Sequence, residues 1–111
     1  MAIEVKSLAD GQIGPNADTV YDLYAVPTGK AAIAKSMRFF NTDTSNRTMN
    51  VYFFKASGTA RQISPKDLSL APGSLLIDDG EVTMGTGDKI QAKASSGNKI
   101  DFVISGIQRD V

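Results

Sequence analysis

The chain has 111 residues, 12 Lys+Arg against 12 Asp+Glu, and neither His nor Cys. That length fits a single core, and the cancelling charge gives no chain-wide basic field to attract nucleic acid or anionic lipid. Without His and Cys the chain lacks the usual ligands of zinc, copper and iron–sulfur clusters, any disulfide, and the Cys–His and Ser–His–Asp nucleophile systems.

The first residues, Met1-Ala2-Ile3-Glu4-Val5-Lys6, alternate apolar and charged. A signal peptide needs an unbroken apolar stretch, and a membrane span needs about 20 apolar residues. The longest apolar runs are short, such as Leu75-Leu76-Ile77. No export signal or membrane contact is therefore expected, and the chain is expected to be made and folded in a cytoplasm. Leu8 to Ala17 carries Gly and Pro and reads as a poor strand and a poorer helix. It is expected to be a surface loop or an arm lying on a neighbouring subunit. On this reading residues 1–18 form an N-terminal strand with a Gly/Pro loop or arm, and residues 19–111 form the folded domain.

Strand signals then recur at short intervals between Gly, Pro, Asn and Asp, the pattern of an all-β sandwich. Thr19 to Val26 is rich in β-formers, and Pro27-Thr28-Gly29 turns the chain. The Ala-rich run Lys30–Phe40 is ambiguous between helix and strand. The turn before it and its β-rich neighbours favour a strand with Ala31, Ile33, Met37 and Phe39 on one face and Lys35 interrupting. Met49 to Lys55 places Met49, Val51 and Phe53 on one side and Tyr52 and Phe54 on the other. Short strands are expected at 60–63, 74–77 and 81–84. Ile90, Ala92 and Ala94 share a face of the next strand. A turn at Ser96-Gly97-Asn98 leads to Ile100, Phe102 and Ile104, so the two segments read as a hairpin, with a bulge at Gly106. The fold class is thus a single-domain antiparallel β-sandwich, jelly-roll-like, of about eight strands.

The chemically suggestive clusters each have an ordinary reading. Asp78-Asp79-Gly80-Glu81 lacks the spacing of a calcium loop and reads as a turn. Gly85-Thr86-Gly87-Asp88 lacks the Lys-Ser/Thr of a phosphate cradle. Glu4, Asp22 and Asp101 are scattered acids with no sequence sign of a glycosidase pair. Arg38, Arg47, Arg61 and Lys55 are interleaved with acids, which weakens a nucleic-acid reading. No metal, cofactor or catalytic residue is assigned, and no enzyme activity is expected. Tyr52-Phe53-Phe54 is more informative: aromatic residues on both faces of one strand, repeated at Phe39-Phe40, imply a face covered by loops or by another chain. The candidate partner interface is Tyr52, Phe54, Arg38, Ile13 and Pro15. Replacing Tyr52 and Phe54 with Ser is then expected to weaken assembly more than folding.

The stretch Val26-Pro27-Thr28-Gly29-Lys30-Ala31-Ala32-Ile33, followed by Asn41-Thr42, resembles the opening of small tailed-phage virion proteins. Ser69-Leu70-Ala71-Pro72-Gly73, Gly87-Asp88-Lys89-Ile90-Gln91-Ala92 and Ile104-Ser105-Gly106 are similar to the same group. The resemblance spans about residues 19 to 107 and rests on strand-and-turn motifs. It implies a capsid decoration or cement protein on the capsid surface of a virion. Such a protein would bind the major capsid (coat) protein multivalently, as a homo-oligomer, a trimer by expectation. The alternatives are a tail, neck or baseplate component, or a carbohydrate-binding module stacking sugars on Tyr21, Tyr24 and Tyr52. The absence of Trp counts against the latter.

Overall fold

Alternation of apolar and polar residues between turn-forming clusters gives ten strands in the computed structural model, which describes residues 3–111. They are β1 (Ile3–Ile13), β2 (Tyr21–Ala25), β3 (Lys30–Asn41), β4 (Arg47–Phe54), β5 (Ala60–Gln62), β6 (Leu68–Leu70), β7 (Leu75–Asp78), β8 (Val82–Met84), β9 (Lys89–Ala94) and β10 (Ile100–Asp110). Met1 and Ala2 of the alternating start lie outside the described residues. One antiparallel sheet runs β1-β10-β3, with β7 and β8 both on the far side of β3. The other runs β2-β9-β4, with β5 and β6 both on β4. Because β5/β6 and β7/β8 each share one place beside a longer strand, the ten segments fill the eight positions of a jelly-roll sandwich.

The segments at β9 and β10 are not a hairpin. β9 pairs with β2 and β4, and β10 pairs with β1 and β3, so the chain changes sheets between Ala94 and Ile100. The expectation failed because inward alternation marks the buried face of a strand and not its sheet. Ile90, Ala92 and Ala94 are buried from one side of the core, and Ile100, Phe102 and Ile104 from the other. The crossing is pinned to the N-terminal turn. Asn98 N donates to Ile13 O at 2.9 Å, and a Cβ on Gly97 would lie 1.8 Å from Pro15 O.

The Gly-containing stretch after Leu8 is also a strand rather than a loop, through Ile13. It pairs with β10 along its whole length, from Ile3↔Arg109 to Ile13↔Ile100. Its low propensity is offset by non-local pairing and by the Phe102 ring, which packs beside Gly11. Tyr21 Oη accepts from Asn16 N at 2.8 Å, and Asp18 N donates to Ala94 O at 2.7 Å. The segment from Ile13 to Asp18 is thus tied to its own sandwich.

β3 is a strand, but its inward face differs from the expected one. Ala32 and Ala34 are buried in its first half, and Met37, Phe39 and Asn41 in its second. The phase changes because Ser36 pairs with Ser105 while Ala34 pairs with Gly106, leaving Lys35 as an extra residue. β1 carries its own extra residue, Leu8, one position further along, between the partners of Ser105 and Ile104. The two neighbours of β10 therefore bulge on either side of Ser105, one of them at Gly106. A Cβ there would lie 2.0 Å from Ile33 O.

Between the sheets, Met37, Phe39, Ile104 and Ile100 pack against Met49, Val51, Ile90 and Ala92. The buried polar groups are satisfied. Tyr24 Oη donates to Gln108 Oε1 at 2.7 Å, joining the two sheets. Asn41 Nδ2 donates to the carbonyls of Ser45 and Leu70, each at 2.9 Å, and its Oδ1 accepts from Asp43 N at 2.9 Å. Asp88 closes the turn before β9, accepting from Ala56 N and Gly85 N at 2.9 Å each. Burial works to raise the Asp88 pKa, but these two donors and the nearby Lys55 outweigh it, and the carboxyl sits below its ordinary value.

Two outcomes follow. Gly106→Ala pushes β3 off β10 and is expected to cost about 1–3 kcal/mol in urea unfolding, with the far-UV spectrum still β-type. Asp88→Asn keeps one acceptor and loses the other, for a loss of about 1–3 kcal/mol at pH 7. A lowered carboxyl pKa stabilises the fold above the unfolded value of about 4 and ceases to do so as pH falls through the native value. Chemical denaturation at pH 7 and pH 3 should therefore show a smaller acid-induced loss in the variant than in the parent chain.

Candidate functional site

A two-sheet sandwich presents two outer faces, and here they differ in chemistry. On the sheet containing β4 and β9, Tyr52 sits in a cross-strand row between Gln91 and Gln62. Next to Gln91, Asp22 accepts from Gln91 Nε2 at 2.8 Å and from Lys89 Nζ at 3.0 Å. The Gln91 bond first and the Lys89 bond second hold its carboxyl below the usual range, against partial burial. The Lys89 ammonium lies 6.0 Å from the Phe54 ring centroid, a loose cation–π contact. Beyond Tyr52, Asn50 is bound by Gln62 Nε2 at 2.6 Å and by Asp67. Tyr52 and Phe54 are consequently half-buried within a polar, self-paired surface.

The outer face of the sheet containing β3 and β10 is different. Two cross-strand rows run across it, Gln12–Asp101–Phe40–Leu75 and Asp10–Val103–Arg38–Ile77. Phe40 is 37% exposed, Val103 39%, Ile77 45% and Leu75 50%. They form one apolar group around Arg38. Asp101 accepts from Gln12 Nε2 at 2.8 Å, but among the described residues Asp10 and Arg38 have no ion-pair partner. Toward the other end of the face, past the bulge, Ile3 and Val5 of β1 stand exposed beside Arg109 and Ile107. A concavity of about 320 Å³ opens at the bulge, lined by Val5, Lys6, Lys35, Ser105, Gly106 and Ile107. The bulge creates this face: it turns Ala32 and Ala34 inward while Ile33 points out, then turns Met37 and Phe39 inward while Arg38 and Phe40 point out.

The five residues singled out from sequence are not brought together. Arg38 lies on one outer face and Tyr52 and Phe54 on the opposite one. Ile13 is 1% exposed and belongs to the core, so its side chain offers no contact surface. Pro15 is exposed, but its turn is pinned to the crossing between β9 and β10. Val103, Leu75, Ile77 and Asp10 were missed. The available signal was apolar residues on both sides of a strand, at Phe39-Phe40 and Leu75-Leu76-Ile77.

The other clusters have structural roles. Asp78 Oδ1 accepts from Gly80 N at 2.9 Å, a side-chain-capped turn, and Glu81 pairs with Lys35. Among the described residues no group of three acidic side chains is placed to hold a metal ion. Gly85–Asp88 is a turn closed by Asp88 N donating to Gly85 O at 3.0 Å. Asp22 and Asp101 lie on opposite sheets. Arg47 is held by Asp43, with Nε to Oδ2 at 2.6 Å. Tyr24 is buried, Tyr21 is engaged with Asn16, and Tyr52 lies on the outer face, so the three tyrosines make no common platform.

No family model and no curated protein sequence matches the chain. Solved structures do match its fold. A chain of the T13 IBDV viral particle superposes with a TM-score of 0.61 at 12% identity, over 96% of this chain and 30% of that one. A chain of the Gx strain of infectious bursal disease virus gives 0.52 at 14% identity, over 96% and 32%. A Bacillus endospore appendage subunit, from disulfide-linked pili, gives 0.51 at 14% identity, over 96% and 90%. The chain spans about a third of the viral proteins it matches and nine tenths of the appendage subunit. What it shares with subunits of virus shells and of a pilus is the jelly-roll fold.

Proposed function

We propose that this chain is a structural subunit of an assembled particle and, more narrowly, a decoration or cement protein on the head of a tailed phage. It contributes contact area and no catalysis. The observation that carries the reading is the outer face of the β3–β10 sheet. There, apolar side chains surround Arg38, which has no ion-pair partner among the described residues, while on the opposite face Tyr52 and Phe54 are half-buried among polar side chains that pair within the chain. Apolar side chains gathered on one face and rimmed by polar residues are the pattern of a protein-contact surface. The fold likeness to virus-shell and pilus subunits and the sequence resemblance to small phage virion proteins support the same class. In this role the protein acts as an oligomer, and repeated modest contacts with neighbouring coat subunits add through multivalency.

Purified protein is expected to co-sediment with expanded, empty phage heads. Val103→Asp with Ile77→Asp should weaken that binding by about tenfold or more while the thermal unfolding midpoint stays within a few degrees. Tyr52→Ser with Phe54→Ser should change it much less. Binding to tails but not heads would move the protein to the neck, tail or baseplate. Affinity for neither, beside tight binding to a host polysaccharide, would overturn the structural reading.

A further inference from the structure

The geometry points to a second copy of this chain as the occupant of the β3–β10 face, in a two-fold, face-to-face pair. This rests on the reading of that face as a contact surface and names its partner; heads are then bound by the pair, and changes at this face weaken that binding by removing two-point attachment. The argument begins with charge. Asp10, Val103 and Arg38 occupy one cross-strand row on three neighbouring strands, β1, β10 and β3. Strands lie about 4.8 Å apart, so Asp10 and Arg38 are separated by about 10 Å with Val103 between them. Neither has an ion-pair partner among the described residues. A two-fold axis lying in the interface along β10 stacks β10 on β10 and β3 on β1 of the second copy. It sets Arg38 of each copy over Asp10 of the other, with the two Val103 side chains meeting at the axis. One unpaired cation and one unpaired anion, equidistant from a central apolar residue, form a self-complementary pattern. That is what an isologous interface requires.

Past the bulge the apolar row agrees, while at the two ends of β10 the same axis sets Asp101 over Asp101 and Arg109 over Arg109 of the other copy. Val5, Ile107 and Ile33 lie at one level of β1, β10 and β3. The same axis therefore places Ile33 of each copy against Val5 of the other, over the concavity at the bulge. The area suits a pair that dissociates on dilution. The three strand positions that overlap about this axis and an eleven-residue β10 give a face of roughly 500 Å², at the small end of specific interfaces, which use roughly 800 Å² per partner. Sheets packed face to face at a small angle have a ready geometry for this.

Sedimentation velocity and light scattering on the full chain from about 1 to 100 µM test the pair. The expected species is twice the 11.8 kDa chain mass, dissociating on dilution. Arg38→Glu and Asp10→Arg should each raise the dissociation constant about 10- to 100-fold at low salt, and less at high salt. The double variant, with the charges exchanged, should return it to within about threefold. That rescue separates interface loss from misfolding. A chain that is monomeric throughout, a trimer, or a dimer indifferent to both charge reversals would overturn the inference. So would failure of the double variant to recover while each single variant unfolds with a parent-like midpoint. The decoration reading stands or falls separately. A charge-sensitive dimer that ignores heads would remove the decoration role and leave the pair, and heads bound by a monomer would do the reverse.

Discussion

The close approach of β3 to β10 at Gly106 sets the character of both sides of its sheet. Backbone of β3 occupies the space a side chain would need, with Ile33 O 2.0 Å from an added Cβ. At this point β3 carries one residue more than β10, and Lys35 is that residue. A strand without it would alternate in a single phase along its length. Ala32 and Ala34 could then not share the interior with Met37, Phe39 and Asn41. The bulge reconciles two apolar phases in one strand, one on either side of Lys35. As a result Ile33 and Phe40 are both left facing outward from a sheet whose inward face is already full.

Local pattern made much of the interior legible. Ile90, Ala92 and Ala94 were identifiable as a buried face because strict alternation has one structural reading. The Ala-rich stretch from Lys30 was resolved as a strand by its neighbours rather than by its own propensity. Pairing was less legible. β9 and β10 follow one another with a short turn and matching alternation, and they bury the same side chains whether they pair with each other or face each other across a core. Nothing local separates those cases. The strand through Gly11 was hidden for a related reason, since its stability comes from β10, about ninety residues away, and from the Phe102 ring.

The proposed contact surface was half legible. Aromatic residues on both sides of β4 and apolar residues on both sides of β3 and β7 gave the same sequence signal. The structure separates them by what surrounds each. Around Tyr52 and Phe54 stand Gln62, Gln91, Lys89 and Asp22, contributed by strands adjacent in space but distant in sequence. Around Phe40 and Val103 stand Leu75 and Ile77. Only the sheet order decides which apolar residues receive a polar setting from their own chain. Fold likeness to chains of a virus particle and of a spore appendage extends to the fold alone; the jelly roll is a common scaffold, and role is read from the surface it carries.

The position of β10 also bears on how the protein comes into being. It is the central partner of β1 and β3, yet it follows both by more than half the chain. During synthesis the first and third strands leave the ribosome long before the segment that joins them. Their apolar side chains wait in solvent, or against chaperones, until residue 110 or so emerges. Completion of this sheet is therefore a long-range event, and the growing chain is vulnerable to misassociation until β10 has emerged.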